Sequence, residues 1–372
     1  MVSQTLPDVD TVKDMLKARI VELCARCLPE GRREGSEWVA FNPFVARKAH
    51  WSPALKVALT GNKGAWKDWR SPEDRGDVLK LIAFTQQLTS FKDQMAWARD
   101  FLGLEDLTPK QREALKRQAV LRKERDAADE QKRRARKLER AMELWQQADG
   151  PGENPGAEAH AMGYFAARGC DFRNVANPPL RTFRFSSATE WWKGADYAHQ
   201  NGGARKVAAG PVFPAIHSAM RAANGALTCC HVTFLDPVLR QKAPVAPAKL
   251  MLGEALASVI EVSRGPCDED FWRCATAGPL IIAEGIETAL TMALAVPEAR
   301  VWAAGSLAGM GHCPVQLPCV GEIAVARDNN HGNAQAQKAL NAALWKLEEA
   351  DKPLVVMASH VGDDFNDLGQ GE

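Results

Sequence analysis

Three clusters of acidic side chains near the end of the 372-residue chain have the types and spacing of a hard-cation site. Glu284 and Glu287 follow the apolar run 279–283, Asp328 with Asn329 and Asn330 follows "EIAVAR", and Asp363, Asp364 and Asp367 follow "PLVVMASHVG". Oxygen donors without His or Cys suit Mg²⁺, which binds through a few carboxylates together with substrate phosphates. A single strand-end acid is commonly a helix cap or a solvated turn. Three that each follow a predicted strand favour a shared site over three separate caps.

The elements that must position these acids are legible from hydrophobic pattern. "PLIIA" is short and rich in branched side chains, as a buried parallel strand is, and places Glu284 at its C-terminal lip. After Pro279 the pattern alternates strand and helix: "LIIA", "IETALTMALAV", "RVWAAG", "EIAVA", "HGNAQAQKALNAALWKLEEA", "PLVVMAS". That alternation predicts an α/β domain over 279–372, a small parallel sheet flanked by helices. Parallel strands put their C-terminal ends on one edge, where open α/β sheets bind ligands.

Three regions precede it. Residues 1–105 read as an α+β ribbon-like domain, with a hairpin turning at "GNKG" between Leu55–Leu59 and Trp66–Trp69, then two amphipathic helices, the second capped by Ser90 and ended by Gly103. Residues 106–148 read as one long basic helix opened by Pro109. Residues 149–278 begin with a Gly/Pro linker and continue as a β-rich segment, in which Asn224-Gly225 marks a hairpin.

Bulk properties narrow the class. A 46% hydrophobic composition is that of a globular protein with cores. No apolar run approaches a membrane span and the first ten residues lack a secretory layout, so a cytoplasmic location is expected. Nine cysteines at irregular positions fit a reducing compartment. The lone pair Cys24 and Cys27 reads as packing thiols, and Cys229 and Cys230 must face opposite ways along a strand. The net charge of +1 conceals thirteen basic against six acidic side chains between Lys110 and Arg140. That helix, with Lys132, Arg133 and Arg134, either tracks a phosphate backbone or is a solvated rod.

"LIIAEGIETALTMALAV", "EIAVARDNNHGNAQAQKAL" and "GDDFNDL" resemble the three motifs of the Toprim fold, in the variant found in DNA primases of phage, plasmid and mobile-element type within the bacterial DnaG-like superfamily. Upstream, "AMGYFAARGCDF", "LRTFRF", "FPAIHSAMRAANGALTCCHVTFLD" and "AKLMLG" resemble the primase core segment of those proteins, so the likeness covers roughly 155–372. The resemblance implies RNA primer synthesis on a single-stranded DNA template from ribonucleoside triphosphates with Mg²⁺ or Mn²⁺, in a bacterial host cell, beside a separate replicative helicase. By the same likeness Glu284 is general base or additional ligand, Glu287, Asp328 and Asp364 join it in catalysis, and Asp328, Asn330, Asp364 and Asp367 hold metal. Arg181, Arg184, Lys206 and Lys249 are the implied template or triphosphate contacts. The family's D-x-D reads Asp328-Asn329-Asn330 here, one carboxylate fewer.

The 41–82 stretch is similar to the primase zinc ribbon without its ligands. Asn42-Pro43 stands in place of Cys-Pro, and Trp66 and Trp69 stand near the second ligand pair, so no zinc is expected and aromatic packing should hold the ribbon. Two other functions share these features: a Toprim nuclease, and a non-catalytic single-stranded nucleic-acid binder acting through charge and stacking.

Overall fold

The computed structural model describes residues 8–46, 52–71, 73–104, 109–200, 203–327, 333–359 and 365. It divides into two compact units, Met1–Glu130 and Gln131–Glu372.

In the first unit, α1 (Val9–Ala18) opens on Asp8, whose side chain accepts from Thr11 N, and α2 (Ile20–Cys27) follows. Five short strands then form an antiparallel sheet in sequence order: β1 (Arg32–Glu34), β2 (Glu37–Ala40), β3 (Leu55–Ala58), β4 (Trp66–Asp68) and β5 (Arg75–Gly76). The "GNKG" stretch turns β3 into β4, with Leu55 opposite Asp68 and Val57 opposite Trp66. Helix α3 (Val78–Gln86) is capped by Asp77, and α4 (Phe91–Leu102) runs from Ser90 to a left-handed Gly103. The long α5 (Pro109–Gln147) passes from this unit into the second.

The ribbon core is apolar and aromatic. Leu55, Val57 and Trp66 from the sheet bury against Leu16, Ile20 and Leu81 from the helices, and Trp66 lies 4.8 Å from Phe84. Asn42, just after β2, donates to the buried Asp68 of β4 at 2.8 Å, tying the β2–β3 connection to the sheet. Trp69 departs from the expectation: it is 62% exposed, with the Lys67 ammonium 4.0 Å over its ring. Three residues separate it from Trp66, and an odd separation along extended chain puts the two on opposite faces. The helix-borne Cys24 and Cys27 are buried thiols.

The turn contributes to this core directly. Gly64 has φ +85° and a Cβ there would lie 2.3 Å from Val78 Cγ1. Gly64→Ala combines a left-handed backbone with overpacking, so it should cost about 2 kcal/mol or more. Thermal unfolding checks this as a lowered Tm, and a variant as stable as the wild type would show that the turn is not seated on α3.

In the second unit α6 (Pro155–Ala167) is capped by Asn154. The strands β6 (Phe183–Glu190), β7 (Asp196–Gln200), β8 (Gly203–Ala208), β9 (Val212–Ala222), β10 (Leu227–Phe234), β11 (Lys249–Gly253) and β12 (Ser258–Arg264) follow. The strand–helix part is β13 (Gly278–Ala283), α7 (Ile286–Ala295), β14 (Arg300–Ala303), α8 (Leu307–Met310), β15 (Val320–Arg327), α9 (Ala334–Glu348) and β16 (Leu354–Ala358). Apart from the β7–β8 hairpin, these strands form one sheet in the order β11-β10-β9-β12-β14-β13-β15-β16, with β6 also on β9.

The parallel part comprises β14, β13, β15 and β16, as the pattern predicts. Its continuity with the antiparallel part is not in the pattern. Strand β12 pairs antiparallel with both β9 and β14, so the two regions share backbone hydrogen bonds and a buried Glu261–Arg300 ion pair. The expected 278/279 boundary therefore falls inside a sheet. Alternating side chains feed separate cores: Ile281, Ala283 and Cys229 pack with α6 and α7, while Leu280 and Ile282 pack with α9. Cys230 joins Trp145 of α5 on the face opposite Cys229. Among the described residues no helix is long and apolar enough to cross a membrane.

Candidate functional site

Strand β13 is buried along its last four residues and ends at Glu284. The following loop fixes that residue: Ala304 N donates to Ala283 O and Gly305 N to Glu284 O, both at 2.9 Å. The Leu307 N–H at the start of α8 faces the Glu284 carboxylate and favours its charged form. The carboxylate is half-buried, and desolvation raises its pKa against the opposing pull of the Lys249 ammonium and that N–H. A carboxylate so placed is only partly compensated and holds a proton more readily than usual.

Helix α7 starts at the next residue. Its N-cap, Gly285, brings no side chain to the first-turn N–H groups. A Cβ at Gly285 would lie 3.6 Å from Glu287 Oε2 and 4.0 Å from both Lys249 Nζ and Thr288 Oγ1. The helix end thus opens toward the Glu287–Lys249 pair and a hydroxyl, and its uncapped first-turn N–H groups suit an oxyanion.

Glu287 is buried in a cluster of ion-pair and hydrogen-bond partners. It is 5% exposed, and both oxygens are engaged: Tyr164 Oη donates to Oε1 at 2.7 Å, while Lys242 and Lys249 each lie 2.9 Å from it. Burial works to raise its pKa, but the two ammoniums and the Tyr164 hydroxyl outweigh it and hold the carboxyl well below the usual range. The same burial lowers Lys242 and, with Glu287 beside it, raises Tyr164. A carboxylate with three donors neither carries protons nor takes a metal readily. Its geometry is that of a residue that aims two lysines, where the motif resemblance implied a catalytic one. Behind them His231, 4% exposed, is pushed down to about 4 by burial and by Lys249, and so is neutral.

The predicted basic contacts divide. Lys249 belongs to the site. Arg184 does not: it lies 5.2 Å over the Trp145 ring and donates to Trp145 O and Ala148 O at 3.3 and 3.2 Å, closing the end of α5. Lys206 pairs with Glu190. Arg134 forks onto Glu254 at 2.6 to 3.1 Å. These three have partners within their own chain, apart from the Glu284–Lys249 site. Arg181, Lys132 and Arg133 are exposed.

Asp328, Asn330, Asp364 and Asp367 lie outside the described residues, and among the described residues no group of three or more potential ligands forms. The strands leading to them are described. Ala283 pairs with Ala326, and Arg327 with Ala358, so β13, β15 and β16 end on one edge. Phe365, next to Asp364 in sequence, is buried in the core under α7. The carboxylate and amide oxygens that follow these strands in sequence are hard donors that fit Mg²⁺ or Mn²⁺.

A family model described as the Toprim domain matches residues 279–372. These residues are a Toprim domain. A second model, a domain of unknown function (DUF7146), matches 135–262, upstream of the Toprim domain and inclusive of Tyr164, Lys242 and Lys249. No curated protein matches the chain. Among solved structures it is similar to the Aquifex aeolicus primase zinc-binding and RNA polymerase domains, at 13% identity over 97% of this chain and 82% of that one, with TM-score 0.39. It is also similar to a DNA primase domain from Pseudomonas aeruginosa, at 13% identity over 63% and 75%, with TM-score 0.41. The Escherichia coli primase catalytic core matches at 15% identity over 58% and 70%, with TM-score 0.38.

Sequence reasoning missed Tyr164 and Lys242. Tyr164 is separated from Glu287 by 123 residues, and Lys242 lies in a loop with no motif around it. The available signal was indirect: a buried glutamate in the first turn of an apolar helix demands cations, and "RQKAPVAPAK" offers two lysines and an arginine.

Proposed function

We propose that the chain is a DNA primase-like nucleotidyltransferase that makes short RNA primers on single-stranded DNA from ribonucleoside triphosphates, with a separate replicative helicase as partner. The observation that carries this reading is the meeting of Glu284, the open N-terminus of α7 and the Lys249–Glu287–Lys242 group at the C-terminal edge of the Toprim sheet.

In the reaction a 3′-hydroxyl forms a bond to the α-phosphorus of the incoming nucleotide as the bond to pyrophosphate breaks. Glu284, Asp328, Asn330, Asp364 and Asp367 would hold Mg²⁺ or Mn²⁺, which supplies charge stabilisation for the attacking and leaving oxygens. The protein's own groups do the rest. Glu284, with its raised pKa, takes the hydroxyl proton, or it would serve as one more ligand of the metal. Lys249 and Lys242 share one negative charge between two positive ones, and the surplus faces phosphate. The α7 N–H groups meet the same anion without a competing side chain.

The test is incorporation of labelled ribonucleotides into short products on single-stranded DNA with Mg²⁺ or Mn²⁺. Template-dependent oligoribonucleotides are expected. Cleavage of the DNA without primer, or binding without any product under either metal, would overturn the reading in favour of a nuclease or a binding protein.

A further inference from the structure

The turn joining β10 to the Lys242 segment is built rigidly, yet it presents aliphatic side chains to solvent. Leu235 bridges Lys242, Asp236 N donates to Gln241 O and Ala243 N to Phe234 O, each at 2.9 Å. Inside this closed loop the Asp236 carboxylate accepts from Val238 N and Leu239 N, both at 2.8 Å. His160 Nε2 on α6 donates to Asp236 O at 2.8 Å. Arg240 is seated too: a Cβ on Gly163 would fall 2.6 Å from its Nη1, so its guanidinium lies flat on the α6 backbone. Five hydrogen bonds and the Arg240 contact over residues 234–243 leave little freedom. At the tip Val238 is 82% and Leu239 54% exposed.

No packing in the second unit accounts for that exposure. Leu239 is three residues from Lys242 and hence no more than about 11 Å from it along the chain. Lys242 and Lys249 keep 35% of their side-chain surface open, and with Arg240 they make the surroundings of the tip cationic. Positive charge beside a small apolar surface complements a nucleotide unit, an anionic phosphate with a flat, largely apolar base attached.

We propose that the 236–241 turn is a base-docking wedge, on which Val238 and Leu239 take the face of an unpaired nucleobase whose phosphate rests on Lys242. The inference rests on the reading of Lys242 and Lys249 as phosphate-facing. It adds a contact to the base, which the lysines cannot make. The rigid turn holds the aliphatic surface ready, so little ordering cost is incurred on binding.

The experiment is fluorescence anisotropy with the full chain, using a labelled single-stranded oligodeoxynucleotide and a strand of equal length made of abasic sugar-phosphate units. The Val238→Ser/Leu239→Ser double variant should bind the natural strand about fivefold or more weakly while binding the abasic strand as the wild type does. Lys242→Ala should weaken both strands alike. Because both exchanged residues are exposed, circular dichroism should show unchanged melting. Equal binding of the natural strand by wild type and double variant, equal loss on both strands, or no strand binding by the wild type would overturn the wedge. So would a wild-type dimer in sedimentation that the double variant abolishes, which would make the tip a contact between copies. Primer synthesis is scored separately: a base-dependent loss without primer synthesis keeps the wedge and removes the primase reading, and the converse keeps the primase reading alone.

Discussion

Glu284→Gln is expected to lower ribonucleotide incorporation by roughly a thousandfold while leaving single-stranded DNA affinity within about twofold of wild type. The amide keeps the volume of the side chain and an oxygen facing Leu307 N, so β13, α8 and the Lys249 environment stay in place. What it removes is one negative charge and one proton acceptor at the lip of the sheet. Both roles assigned to Glu284 need that charge. The pH dependence separates the variant further. The wild-type carboxyl titrates above its ordinary value near 4.5 because burial raises it. As pH falls through that raised pKa the carboxylate protonates, and activity should fall with it. Residual activity in the Gln variant should lack this acidic limb. An undiminished rate in Glu284→Gln would move the chemistry to another part of the molecule.

Glu287→Ala should be the most damaging single change to stability, because it leaves two partly buried ammoniums and a buried phenol without their shared acceptor. Breaking a buried pair from one side costs about 3–5 kcal/mol. Denaturant unfolding monitored by tryptophan fluorescence would measure the loss. Glu287→Gln should recover part of it through the Tyr164 hydrogen bond, but not the charge. The pH dependence follows with a definite sign. Lysines and Tyr164 hold the folded-state pKa of Glu287 below its unfolded value near 4.5. The folded state therefore binds fewer protons in that range, and the stabilisation is complete above the unfolded pKa. It is lost as pH falls through the unfolded value toward the lower folded one, so the wild type should lose stability more steeply than Glu287→Gln below about pH 5. Parallel acid profiles for the two proteins would contradict this.

Much of the architecture was legible because it is local. "GNKG" and Asn224-Gly225 close hairpins through turn chemistry, and the short branched runs after Pro279 became four parallel strands. The lip position of Glu284 follows from strand parity and the succeeding helix alone. What could not be read depends on contacts between distant segments. Glu287 carries the motif's second acid, yet its role is decided by Tyr164 and two lysines brought in by other elements. Charge alone promoted Arg184, Lys206 and Arg134, whose partners are a helix terminus and two glutamates elsewhere in the chain. Trp69 was grouped with Trp66 by proximity, although its odd spacing already placed it on the outer face. The union of the two regions in one sheet rests on β12, a strand whose sequence does not reveal that it has two neighbours.

The gathering of acids around one dication is most directly tested by titrating Mn²⁺ into the wild-type protein and into Glu284→Gln, Asp328→Asn and Asp364→Asn, following free Mn²⁺ by electron paramagnetic resonance. A shared site predicts saturable Mn²⁺ binding in the wild type and a loss of about tenfold or more in each of the three variants, since each removes a charged ligand of the same ion. Wild-type affinity retained in all three would place those carboxylates apart and contradict the account.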